Sequence, residues 1–103
     1  MDTTPAIVGL PWYEEASYQA VTALMHDPDK LFAIYADWHR AAQRTEDQVR
    51  GNGQTAIRVT LDLVQFPAWC KARRLRIDAQ ARMDYAAFIA VQQYRAGQEG
   101  ARH

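Results

Sequence analysis

The side chains able to do chemistry are few and scattered. The histidines are His26, His39 and His103, and the one cysteine is Cys70. No two histidines stand at the spacing that sets two ligands on one helical face, and no second cysteine accompanies Cys70, so a zinc pattern is missing. His26 with Asp27 and Asp29 comes nearest to a metal cluster. A histidine at a helix end, followed by a capping residue, explains the same residues through the helix dipole. His39 lies one turn from Tyr35 and Gln43; a general base there would need a nucleophile that this stretch does not offer. Glu14 and Glu15 are adjacent, point in different directions on a helix and do not form a paired acid and base. Cys70 has Lys71, Arg73 and Arg74 close by, neighbours that favour a thiolate. It also follows Trp69 in an apolar stretch, the setting of a packed thiol. Gly51-Asn52-Gly53 follows a helix instead of opening one and is no phosphate loop. These residues predict no catalytic set, no metal site and no cofactor, and so a protein that is not an enzyme.

The elements that must position these groups are organised around Gln54 to Leu75. Thr55 to Leu61 alternates in two-residue steps, with Ile57, Val59 and Leu61 on one side and Ala56, Arg58 and Thr60 on the other. That period, with its β-branched content, predicts a half-buried strand. A lone strand leaves backbone donors and acceptors unpaired, so it needs a partner. The short apolar run Ala6 to Leu10, bracketed by Pro5 and Pro11, is the candidate within the chain, since prolines at strand ends are tolerated. Otherwise Met1 to Pro11 reads as a lead-in. The preferred partner is the same strand of a second copy across a two-fold axis, with Ile57, Val59 and Leu61 as the dimer strand's apolar side.

Helical periodicity fills the rest. Trp12 to His26 predicts a first helix with Tyr13, Ser17, Val21 and Leu24 on one stripe. Asp27-Pro28-Asp29 predicts the start of a second helix, with Asp27 as its cap. Running to Arg50, that helix would span roughly 34 Å at about 1.5 Å per residue. Its seam of Leu31, Tyr35, Trp38, Ala42, Thr45 and Val49 has the four-three spacing of helices packed lengthwise, and Gln43 to Arg50 is expected to project into solvent. Gly51 to Gly53 ends it. After the strand, Asp62 and Gln65 suggest a capped turn, and Pro67 delays the third helix to about 66–74. Asp78 caps a last helix to about Tyr94, and Ala96 to His103 reads as a frayed tail.

The 103 residues hold 12 basic and 12 acidic side chains, a formal net charge of zero. Residues 1–53 carry four basic against eight acidic groups, and residues 54–103 carry eight against four. Such polarity suits halves that face each other better than a dedicated nucleic-acid binder, which is usually basic overall. A single cysteine fits a reducing cytoplasm. No apolar run approaches the length that spans a bilayer, and no basic segment followed by an apolar run marks a signal peptide. The length fits one domain, 1–103.

The order strand, helix, helix over 55–94 resembles the ribbon-helix-helix repressors. The resemblance implies strands paired between two chains, Ala56, Arg58 and Thr60 as base readers, Ile57, Val59 and Leu61 facing the helices, and amides near Asp78 and Ala79 holding phosphate. Ala56 is a poor reader and Pro67 falls within the first helix of that pattern. Separately, Leu10-Pro11-Trp12-Tyr13, the helix around Trp38 and Phe66-Pro67-Ala68-Trp69-Cys70 resemble a family of short bacterial proteins of unknown function, which implies a cytoplasmic protein and no activity. The resulting expectation is an α+β fold, mostly α, with four helices and one principal strand in the order α-α-β-α-α. Its function is expected to be a homodimeric assembly or interaction module, whose partner surfaces are the 28–50 helix and the basic residues Lys71, Arg73, Arg74 and Arg76. The alternative is a DNA-binding regulator acting through Arg58, Thr60 and those same basic residues.

Overall fold

The computed structural model describes residues 6–101, and side chains through residue 97. Met1 to Pro5, at the start of the expected lead-in, and Arg102 and His103, at the end of the expected tail, lie outside the described residues. The fold is α+β and mostly helical. Its elements are β1 (Ile7–Trp12), α1 (Tyr18–Thr22), α2 (Tyr35–Gly51), β2 (Thr55–Thr60), α3 (Gln65–Ala72) and α4 (Ala79–Ala101), with 3-10 turns at Glu15–Ser17 and Pro28–Lys30. The order α-α-β-α-α is thus preceded by a second strand.

That strand is where the expected lead-in stood. β1 and β2 form a two-stranded parallel sheet with Ile7 opposite Thr55 and Trp12 opposite Thr60. Bonds from Thr55 N to Ala6 O (2.8 Å) and from Leu61 N to Trp12 O (2.9 Å) fix the register at both ends. One edge of β2 is therefore satisfied within the chain, and pairing with a second copy is not needed to satisfy that edge. β1 also claims Trp12, which the periodicity had placed in a helix.

The sheet lies between two helices. On one side β1 meets α4 through Gly9, where a Cβ would stand 2.2 Å from the Ala86 carbonyl oxygen and 2.9 Å from the Ala90 Cβ. Only glycine allows that approach. Ile57 and Val59, opposite Gly9 and Pro11, share this side because strand side chains alternate. Val59, Leu61, Phe66, Cys70, Tyr85, Ala86 and Ala90 are buried in the continuous core. On the other side Trp12 meets Trp38 of α2 edge-on at 5.2 Å, and Tyr13, Tyr18 and Tyr35 complete an aromatic cluster. The four-three seam of α2 therefore packs on the strands and on Tyr18 at the start of α1, and not lengthwise on another helix.

α1 and α2 are shorter than periodicity predicts. Pro28 begins only a single 3-10 turn, and Leu31 and Ile34 are extended. The Tyr18 hydroxyl donates to the Phe32 carbonyl at 2.5 Å, so a tertiary contact holds the backbone that would have continued the helix. α2 is 17 residues long, about 25 Å. It ends in a Schellman motif with Gly53 at φ 79°, Gln54 N bonding Val49 O and Gly53 N bonding Arg50 O. α3 ends the same way, but the left-handed position is Arg74, at φ 56°, with Leu75 N on Cys70 O and Arg74 N on Lys71 O. At the start of α3, Asp62 Oδ1 accepts from the amides of Val64, Gln65 and Phe66. Pro67 falls in the first turn, where no amide is missed. α4 runs seven residues past Tyr94, so the expected tail is helical through Ala101.

Candidate functional site

The outward row of β2 is built by the same alternation that made the strand legible. In a parallel pair, every second residue turns both its N–H and C=O toward the partner strand. The end bonds of Thr55 and Leu61 show that the odd-numbered residues of β2 face β1. Ala56, Arg58 and Thr60 therefore turn their amides and carbonyls to the opposite edge, and no hydrogen bond meets those amides among the described residues. Thr55, Arg58 and Thr60 are exposed. No proline or lysine, the residues that commonly blunt a strand edge, stands between 55 and 60.

Arg58 sits at the centre of this edge, but its guanidinium is engaged. Nε donates to Glu46 Oε2 at 2.6 Å and NH2 to Oε1 at 2.8 Å, a two-pronged pair that fixes orientation as well as charge. The same guanidinium lies 4.1 Å above the Trp12 ring. Glu46 is fully buried, with Arg50 at 3.5 Å as its second cation. The hydrogen bonds from Arg58 hold its carboxyl below the usual range, although burial acts the other way. Gln43 to Arg50 was expected to project into solvent, and buried Glu46 corrects that. The signal was present: Glu46 stands four residues after Ala42 and three before Val49, on the apolar stripe itself.

A second pair joins the loop after α1 to α4. Asp27 was expected to cap the helix beginning at Pro28, and it makes no such cap. Its carboxylate instead accepts from Arg82 NH1 at 2.8 Å and from Ala79 N at 3.0 Å, 52 residues along the chain. The bonds from Arg82 pull its pKa down. The amides proposed to hold phosphate are thereby occupied: Ala79 N bonds Asp27 and Asp78 N bonds the Arg76 carbonyl. Asp78 caps α4 as expected, through Ala81 N at 3.0 Å.

Val59 and Leu61 are in the core and Ile57 is half-buried against it, so these side chains support β2 from beneath and leave its edge to the backbone. Lys71 is exposed. Arg73 lies over the Trp69 ring at 4.3 Å and the Phe88 ring at 5.1 Å. Arg74 holds the α3 terminus, and Arg76 lines a polar recess with His26, Lys30, Asp27 and Asp78. The four basic residues thus occupy different settings. Cys70 is buried, and desolvation raises its thiol pKa, the opposite of what an activated nucleophile requires. His39 sits at the rim of the aromatic cluster, 5.7 Å from Tyr35 and 6.0 Å from Trp12. Among the described residues no three His, Cys, Asp or Glu side chains group as metal ligands, and no helix is long and apolar enough to cross a membrane.

No known protein family, characterised protein or solved structure matches this chain.

Proposed function

We propose that this chain is a non-enzymatic assembly protein that acts as a homodimer, with β2 of one copy pairing antiparallel to β2 of the other. The single observation that carries the reading is the outward row of Ala56, Arg58 and Thr60, whose backbone amides have no partner among the described residues. A two-stranded sheet is short of strands, and an unguarded edge is a template for strand addition. A two-fold axis through Arg58 would set Ala56 opposite Thr60 of the second copy and give a four-stranded sheet. The two Arg58 side chains would meet there, each already neutralised by its own Glu46. A reducing compartment such as the cytoplasm suits the lone buried thiol of Cys70.

The test uses proline placement. Ala56→Pro removes an outward amide and leaves every amide that bonds β1 in place. It should convert the dimer to a folded monomer, read by sedimentation equilibrium and far-UV circular dichroism. Ile57→Pro removes an amide of the β1 ladder and should unfold the chain instead. A wild-type protein that sediments as a monomer, or an Ala56→Pro variant that remains a dimer, overturns the proposal. Salt-dependent duplex DNA binding lost in Arg58→Ala would favour the ribbon-helix-helix reading in its place.

A further inference from the structure

The free edge of β1 differs in kind from that of β2. Beside it lies a cavity of about 280 Å³, lined by β1 and Tyr13, by Leu31 and Phe32 before α2, by α2 and by Arg82 and Met83 of α4, with no residue of β2 in its wall. The volume exceeds the roughly 150 Å³ of a core cavity that admits benzene, and it approaches the lower end, about 300 Å³, of ordinary ligand pockets. Trp12, Trp38 and Leu10 supply apolar wall, and two large apolar side chains, Phe32 and Met83, line it while remaining 47% and 52% exposed. A strand is a poor occupant, since Pro11 lines this cavity and has no amide to donate.

The polar groups at the cavity set the ligand's charge. Arg82 lines it, and its charge is already balanced by Asp27 at 2.8 Å, which is not one of the lining residues. Tyr13, whose ring carries a hydroxyl donor, also lines it and is 3% exposed. Arg82 and Asp27 both act on that hydroxyl electrostatically, and burial pushes it up to about 12. It therefore stays a neutral donor at any ordinary pH. A charged head group would lose its hydration without gaining a counter-ion. A neutral hydroxyl or carbonyl would satisfy the phenol.

We propose that this cavity binds an uncharged molecule of one or two rings bearing a single hydroxyl or carbonyl, its ring against Trp12, Trp38 and Phe32 and its polar group at Tyr13 and Arg82. The site is independent of the β2 edge and of the dimer.

The probes are 2-naphthol and, as its charged match, 2-naphthoate, titrated into the full chain with amide and indole shifts followed by NMR. The expected result is saturable binding of 2-naphthol, with shifts centred on Trp12, Trp38 and Ala42, and 2-naphthoate at least about tenfold weaker. Tyr13→Phe should weaken 2-naphthol about fivefold, the worth of one hydrogen bond, and leave naphthalene binding unchanged. Ala42→Leu should fill the cavity and abolish binding of both. No binding of 2-naphthol up to about 1 mM, equal affinity for naphthoate, or shifts mapping elsewhere would each overturn the proposal.

Discussion

The two faces of the small sheet are held by opposite means. Toward α4, contact is close and made of small groups: Gly9 lies against the Ala86 backbone and Ala90, with Val59 and Leu61 buried beside them. Toward α2, contact is made by large aromatic rings and one ion pair whose carboxylate alone is buried, and it leaves a cavity at the β1 edge. The close face tolerates no added volume, because a backbone carbonyl cannot step aside as a side chain can. The open face tolerates altered volume and is sensitive to charge, because Glu46 is held in place by Arg58. The apolar cavity lies on the side whose packing relies on a few directional contacts.

The largest effect should come from overfilling the close face. Gly9→Val would force a branched side chain into the Ala86 carbonyl, and the expected outcome is loss of the folded state. Far-UV circular dichroism and gel filtration would read it. A folded Gly9→Val protein would mean that β1 and α4 are not in contact as described. The next effect belongs to the open face. Arg58→Met leaves a buried carboxylate with only the longer contact to exposed Arg50, at 3.5 Å, at an expected cost of about 3–5 kcal/mol in urea unfolding. Glu46→Gln leaves Arg58 free to turn toward water and should cost less, about 1–2 kcal/mol. An equal cost for the two would place the sensitivity in the aromatic packing and not in the charge.

The smallest effect is a pH dependence. Hydrogen bonds from arginine lower the carboxyls of Glu46 and Asp27 from their ordinary values of 4.5 and 3.8. A lowered acid contributes its full stability above the unfolded value and loses it as pH falls through the lower folded value. The urea midpoint should therefore hold steady from neutrality to about pH 4.5 and decline below it. In Glu46→Gln the decline should be shallower, since only Asp27 of the pair then titrates. An identical decline would remove Glu46 from the acid response.

Periodicity recovered what is local. β2 was legible because its apolar residues alternate, α4 because Asp78 precedes a long helical run, and the end of α2 because Gly53 takes a positive φ. β1 was harder to read, since Gly9 and Pro11 interrupt its pattern. Each is there for the tertiary fold: Gly9 admits α4, and Pro11 closes part of the outer edge. The start of α2 misled because the signal at Asp27-Pro28 was strong, yet Asp27 caps α4 and the Tyr18 hydroxyl binds the Phe32 carbonyl.

By itself the sequence determined the class of the fold, the place of β2, the end of α2 and the start of α4, since these depend on residues within a few positions of one another. Only the tertiary structure decided that Glu46 is buried beneath Arg58, that Asp27 serves a helix 52 residues away, and that β1 lies parallel to β2 between two helices. Those facts depend on which distant groups meet, and a charge on an apolar stripe is stable only when its counter-charge arrives from elsewhere in the chain.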